Sequence, residues 1–162
     1  MHLCLLRHGK AEKLGALYTM DHTRPLTPEG AAVIQRVAKG LHKMGARFDI
    51  IFTSPLLRAR QTADVVAKSC GYQKEPEMEE SLGGRFSPEI IAKNLEAIPS
   101  EATVLLVGHA PMLAILIAYL ISNDESTKVE MDEGSMAWVE VASPTIRTGV
   151  LRWLIPAEAW QE

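Results

Sequence analysis

The chain has 162 residues, of which 47% are hydrophobic, enough for one well-buried core, and we expect a single domain over residues 1–162. Seventeen lysines and arginines stand against 20 aspartates and glutamates, giving a net charge of -3, and no basic run indicates nucleic-acid binding. The longest apolar run, residues 110–121, is too short to span a membrane, and no signal-peptide pattern opens the chain, so we expect a cytoplasmic protein.

Short apolar runs alternate with longer stretches of helical periodicity, which is typical of an α/β domain with a mostly parallel central sheet flanked by helices. The predicted strands cover residues 2–6, 50–53, 103–107, 136–141 and 150–155. We expect the first three to be buried and parallel. The last two are separated by a segment with the turn residues Pro144 and Gly149, which predicts an antiparallel pair at one side of the sheet.

Helix start and stop signals fill the gaps between these strands. Thr27 can cap a first helix that has Pro28 at its first position and ends before Gly45. Three further helices are predicted over about residues 55–70, 88–98 and 111–121.

Polar residues interrupt the apolar pattern at the ends of three predicted strands. These breaks are Arg7-His8-Gly9, Thr53-Ser54-Pro55 and Gly108-His109. The carboxyl ends of parallel strands line up at one edge of the sheet, where ligands bind, and Arg58 lies one helical turn beyond the second break. We therefore expect Arg7, His8, Arg58 and His109 to converge.

Two arginines and two histidines at one sheet edge favour phosphate chemistry. Arginine presents a planar donor fork that matches phosphate oxygens and keeps its charge at neutral pH. A neutral histidine is a competent nucleophile, and Gly9 beside His8 allows the backbone to approach a ligand closely. Such donors can stabilise the charge of a phosphoryl group in transfer without a metal, and His2, His22 and His42 lack paired ligand spacing.

The motifs also carry a family resemblance. Leu6-Arg7-His8-Gly9-Lys10-Ala11, with its RHG motif, resembles the signature of the histidine phosphatase superfamily, the phosphoglycerate mutase-like group. Three more motifs agree in order and spacing: Arg24-Pro25-Leu26-Thr27 with Gly30, residues 54–63, and Gly108-His109-Ala110-Pro111. The set looks most like the small SixA-type phosphohistidine phosphatases, and the resemblance covers nearly the whole chain.

The resemblance implies a phosphoglycerate mutase-like fold and a metal-independent phosphatase that needs no cofactor. It implies a phosphohistidine intermediate at His8, phosphate held by Arg7 and Arg58, and His109 donating to the transferred group. The carbonyl of Gly9 would then fix the far nitrogen of the nucleophile. Arg24 lies in a motif that the small members share and is a candidate phosphate or substrate contact.

Larger members of the group use a carboxylic acid to protonate the leaving oxygen. The candidates here are Glu79 and Glu80, of which Glu80 is also a candidate substrate contact. The segment over residues 71–102 is short, which predicts an open site without an inserted lid. An open site admits a phosphorylated side chain of another protein, and a phosphoimidazole leaves more readily than an alkoxide.

Three functions follow from this sequence. The favoured function is removal of phosphate from phosphohistidine on a protein, such as a phosphorelay protein. The alternative is a phosphatase of small phosphate esters, which a well-placed Glu79 or Glu80 would favour. The third is a non-catalytic phosphate-binding module, which the intact set of two arginines and two histidines disfavours.

Overall fold

A computed structural model of the protein describes residues 1–124 and 126–160. It has the predicted α/β architecture. The elements are β1 (His2–Arg7), α1 (Pro28–Lys43), β2 (Ile50–Thr53), α2 (Leu57–Ser69), β3 (Glu77–Met78), α3 (Pro88–Leu95), β4 (Thr103–Gly108), α4 (Met112–Ile121), β5 (Met136–Glu140) and β6 (Val150–Ile155), with 3-10 turns at Asp21–Thr23, Glu80–Leu82 and Ala157–Ala159.

The strands form one mixed sheet in the order β3-β2-β4-β1-β5-β6. β1 pairs in parallel with β4, which pairs in parallel with β2, and β3 continues the parallel half at the edge. β5 runs antiparallel to both β1 and β6, so the predicted antiparallel C-terminal pair is confirmed. β3 was not predicted, because a strand of two exposed residues leaves no apolar run in the sequence.

Both faces of the sheet are covered, which gives the molecule three layers. Along β1, Cys4 and Leu6 pack with α1 and α2 on one face, whereas Leu3 and Leu5 pack with α3 and α4 on the other. All four side chains are fully buried. A central strand that is buried on both faces explains why its sequence is continuously apolar rather than alternating.

Local signals fix where the helices begin. Thr27 Oγ1 accepts a hydrogen bond from the Gly30 amide at 2.9 Å, and Pro28 is the first residue of α1, as predicted. Ser87 caps α3 in the same way through the Ile90 amide, although α3 ends at Leu95, earlier than its periodicity predicted.

Of the helices in the described residues, none has the length and apolar character that a membrane crossing requires.

Candidate active site

The three predicted strand ends meet at one edge of the sheet. Arg7 is the last residue of β1 and pairs in register with Gly108 of β4, while Ser54 directly follows β2. A cavity of about 560 Å³ opens at this edge. Its lining includes Arg7, His8, Arg24, Arg58 and His109. The fold therefore brings together the four residues expected to converge, with Arg24 beside them.

His8 is 7% exposed and is held at both ring nitrogens. Its Nδ1 lies 2.7 Å from the Gly9 carbonyl oxygen, and its Nε2 lies 3.2 Å from Arg58 Nε, which can only donate. These two contacts assign the proton to Nδ1 and the lone pair to Nε2. Burial, opposed only by the Gly9 bond and reinforced by the charges of His109, Arg58 and Arg7, lowers the pKa of His8 to about 3.

Arg58 projects from the first turn of α2 and is 6% exposed. Its Nη1 donates to the Asp21 carbonyl oxygen at 2.9 Å, and its Nη2 donates to Asp21 Oδ2 at 3.0 Å. The other carboxylate oxygen, Oδ1, accepts from Nε and Nη2 of Arg24 at 2.8 and 2.6 Å. Asp21 therefore bridges two of the three arginines that line the cavity.

The bridge keeps the Asp21 carboxylate ionised. Burial acts to raise the pKa of Asp21, but the hydrogen bonds and charges of Arg58 and Arg24 outweigh it and hold the pKa below its usual value. Asp21 cannot serve as a proton donor near neutral pH while it is paired in this way.

Arg7 is fixed by the segment that precedes β5. Its Nη1 donates to the Met131 carbonyl oxygen at 2.7 Å, and its backbone amide donates to the Ser135 carbonyl oxygen at 3.0 Å. The Gly134 amide in turn donates to the carbonyl oxygens of Arg7 and His8 at 3.1 and 3.2 Å. Gly134 has φ of +78°, a backbone conformation that favours glycine.

His109 follows β4 and is 5% exposed. Its Nε2 lies 2.7 Å from Ser54 Oγ, and its ring centroid lies 4.9 Å from that of His8. Burial, followed by the charge of Arg58, lowers the pKa of His109 to about 4. Both imidazoles are therefore neutral at pH 7 in the free protein.

Gly9 lies behind the nucleophile and supports it. The Gly9 amide donates to Thr62 Oγ1 at 3.2 Å, and Thr62 donates to the Arg58 carbonyl oxygen at 2.8 Å. A Cβ on Gly9 would lie 2.7 Å from Ile34 Cγ1, so only glycine fits between the loop and α1. These bonds join the His8 loop to the helix that carries Arg58.

Glu79 and Glu80 are not brought to the cavity. Glu79 accepts hydrogen bonds from the amide and hydroxyl of Ser81 at 3.0 and 2.6 Å, which caps the following 3-10 turn. Glu80 is exposed and does not line the cavity. The carboxylates that do line it are Asp21 and Glu133, and neither was singled out in the sequence.

A sequence signal existed for only one of these two carboxylates. Asp21 precedes Arg24 by three residues, a spacing that indicates an ion pair. Glu133 lies between predicted elements, where no spacing rule applies. Within residues 1–124 and 126–160, no group of three or more histidine, cysteine, aspartate or glutamate side chains is arranged to hold a metal ion.

Comparisons with known proteins identify the family and the fold of the chain. Residues 3–87 match the model of the histidine phosphatase superfamily (branch 1). An uncharacterized protein of Picosynechococcus sp. is 40% identical over 116 residues, which cover 70% of this chain and 68% of that protein. Phosphohistidine phosphatase SixA of Escherichia coli (strain K12) is 29% identical over 122 residues, 74% of either chain. The solved structure of the protein histidine phosphatase SixA complexed with tungstate has a TM-score of 0.87 at 25% identity, covering 99% of this chain and 100% of that one.

Proposed function

Because the chain belongs to the histidine phosphatase superfamily, we propose that it removes phosphate from phosphohistidine on a protein, without a metal ion and through a phosphohistidine intermediate at His8. The observation that carries this proposal is the state of His8. Its Nδ1 is bonded to the Gly9 carbonyl oxygen, which leaves the Nε2 lone pair facing the arginines of the cavity. A buried imidazole with a pKa of about 3 is neutral at cellular pH and needs no base to become a nucleophile.

The cationic groups around His8 are suited to hold the phosphoryl group. Arg7 and Arg58 supply guanidinium donors, and Arg24 adds a third guanidinium to the cavity lining. In the proposed mechanism His8 Nε2 attacks phosphorus in line with the leaving group. Arg7, Arg58 and His109 then bind the three equatorial oxygens, where negative charge is spread in the transition state. Water next attacks the phosphorus of phosphohistidine, which releases orthophosphate and restores His8.

The surroundings of the cavity favour a phosphoimidazole over a phosphate ester as substrate. An alkoxide leaving group needs a proton donor, whereas an imidazole can leave as a neutral ring. Asp21 is held ionised by two arginines, and Glu79 and Glu80 lie outside the cavity. Between α2 and β4 the chain adds only β3, a 3-10 turn and α3, so this segment is too short for the inserted lid of the larger relatives.

An open cavity suits a histidine presented on the surface of another protein. The similarity to SixA, a phosphohistidine phosphatase, supports the same substrate class for this chain. We infer that the partner is a phosphorylated protein such as a phosphorelay protein. We also propose that the protein acts in the cytoplasm. We propose that residues 1–162 form one domain.

A second candidate function, hydrolysis of small phosphate esters, is favoured by Glu133. This carboxyl group lines the cavity and takes part in no hydrogen bond or ion pair within the described residues. A protonated Glu133 could supply the proton that an ester leaving group needs. Under this reading Glu133 performs the role that the sequence assigned to Glu79 or Glu80.

The proposal is tested by following phosphate release from a phosphohistidine-carrying protein and from a panel of small esters, both in the presence of a chelator. His8→Ala is the matched variant. We expect His8-dependent release that is faster from phosphohistidine than from any ester, with an acid-labile, alkali-stable phosphate trapped on the intact chain. Faster release from esters would favour the second candidate. Phosphate binding without turnover would instead favour a phosphate-binding module.

A further inference from the structure

Glu133 lies on the segment that braces the nucleophile. The next residue, Gly134, donates its amide hydrogen to the carbonyl oxygens of both Arg7 and His8. The backbone of Glu133 is therefore fixed relative to His8, while its side chain is partly exposed and lines the cavity. A fixed backbone and an accessible carboxylate would allow Glu133 to contact a substrate in a defined position.

Among the described residues, two carboxylates line the cavity, and they differ in what they can still bind. Both oxygens of Asp21 accept hydrogen bonds from Arg58 and Arg24. Glu133 takes part in no hydrogen bond or ion pair within the described residues, and its charge makes only a minor contribution to the raised pKa of Lys10, which is due chiefly to the hydrogen bond and charge of Glu29. Glu133 thus retains its full capacity to accept hydrogen bonds from a ligand.

A leaving group in this cavity must depart on the side of phosphorus opposite His8. When that group is an imidazole, it leaves as a neutral ring only if its second ring nitrogen carries a proton, and in this protonated form the ring is cationic while phosphorus is attached. An ionised carboxylate in the cavity lining is a suitable acceptor for that N–H, because a charge-assisted hydrogen bond is stronger than a neutral one. An ester leaving group has no N–H to donate.

We propose that Glu133 determines substrate specificity by accepting a hydrogen bond from the unphosphorylated ring nitrogen of the substrate phosphohistidine. This inference rests on the proposed function. In the step concerned, the Nε2 lone pair of His8 forms the new P–N bond, and the P–N bond to the substrate ring breaks. Its electron pair returns to the ring nitrogen as a lone pair. The proton stays on the other nitrogen, bonded to Glu133, and the ring leaves as neutral imidazole.

The test compares the intact chain with Glu133→Gln on two substrates, phosphohistidine and p-nitrophenyl phosphate. Neither leaving group requires an acid from the enzyme, but only the first has a ring N–H. We expect the ratio of kcat/KM for phosphohistidine to kcat/KM for p-nitrophenyl phosphate to fall about tenfold to a hundredfold, as for loss of a hydrogen bond between charged groups. Asp132→Asn is the matched control, because Asp132 is exposed on the same segment and does not line the cavity. It should leave the ratio unchanged.

The outcomes separate this inference from the proposed function. If the intact chain releases phosphate from phosphohistidine and Glu133→Gln does so with the same ratio, the role of Glu133 is overturned and the function stands. If Glu133→Gln selectively loses hydrolysis of an alkyl phosphate, assayed as a third substrate because its alkoxide leaving group needs a proton, Glu133 is a proton donor and the inference is also overturned. If the intact chain does not release phosphate from phosphohistidine at all, both fall together.

Discussion

Arg58 Nε donates a hydrogen bond to His8 Nε2 at 3.2 Å, so the guanidinium covers the lone pair that the proposed mechanism uses for attack. His8 directly follows β1, Arg58 lies in the first turn of α2, and their contact spans fifty residues of sequence. In the proposed mechanism an entering phosphoryl oxygen replaces Nε2 as the acceptor for this donor. Binding of the substrate would then free the Nε2 lone pair of His8 in the same step.

Substitution of Arg58 tests this arrangement. We expect Arg58→Ala to lower kcat/KM about a hundredfold to a thousandfold, because a preorganised donor to the transition state is lost. Arg58→Lys should recover only part of this loss, since a single ammonium cannot contact His8, Asp21 and the phosphoryl group as a planar fork does. Arg60→Ala, an exposed position on the same helix, is the control. Full activity of Arg58→Lys would show that only the charge matters.

The acidic limb of the pH–rate profile reports the ionisation of His8. Its pKa is lowered from the ordinary value of 6.5 to about 3, and a histidine nucleophile is active only when deprotonated. Between pH 7.5 and 5, kcat/KM corrected for ionisation of the substrate should therefore stay nearly constant. Steady-state rates across this range check the expectation. A loss of activity with a midpoint near 6.5 would contradict it.

The same low pKa makes stability depend on pH. Between about pH 6.5 and 3 the unfolded chain binds a proton at His8 and the folded chain does not, so the free energy of unfolding falls as the pH falls. At pH 5 the contribution of His8 is a loss of about 2 kcal/mol relative to pH 7.5. His8→Asn should lose less stability over this range in urea titrations at the two pH values. An equal loss in both proteins would contradict burial of a neutral His8.

In the proposed mechanism Asp21 competes with substrate for the donors of Arg24 and Arg58. Asp21→Asn removes one negative charge within hydrogen-bonding distance of both guanidinium groups and keeps an oxygen that can accept from them. We expect inorganic phosphate to inhibit this variant about fivefold more strongly, which corresponds to about 1 kcal/mol for one partly exposed charge. The inhibition constant of phosphate gives the measurement. Weaker inhibition would instead show that Asp21 holds the two arginines in place.

The parts of the fold that the sequence predicted are those where an apolar run has clear limits in the sequence. β2 and β6 have the predicted bounds, since their runs are bordered by turn or polar residues. The convergence of Arg7, His8, Arg58 and His109 was predictable because parallel strands place their carboxyl ends at one edge. β3 and the position of Glu133 depend on contacts between distant segments, and no local pattern encodes them.

The approach of α1 to the His8 loop gives a last prediction, which concerns folding rather than chemistry. A Cβ on Gly30 would lie 2.1 Å from the Lys10 carbonyl oxygen. Lys10 is held there by the Thr27 amide, which donates to the same oxygen at 2.9 Å, so the loop cannot move aside without losing this bond. Gly30→Ala should therefore destabilise the protein by about 2 to 4 kcal/mol, as overpacking against backbone does.

For a chain of this length such a loss lowers Tm by about 5 to 15 °C in a thermal melt. Gly15→Ala is the matched control, because nothing lies within 4 Å of a Cβ at Gly15, and its Tm should stay within about 2 °C of the intact chain. Any Gly30→Ala protein that folds should also turn over more slowly, since the displaced loop carries Gly9, whose carbonyl oxygen orients His8. Equal melting temperatures for the two variants would mean that the loop shifts freely, and the fixed placement of the nucleophile would then need another cause.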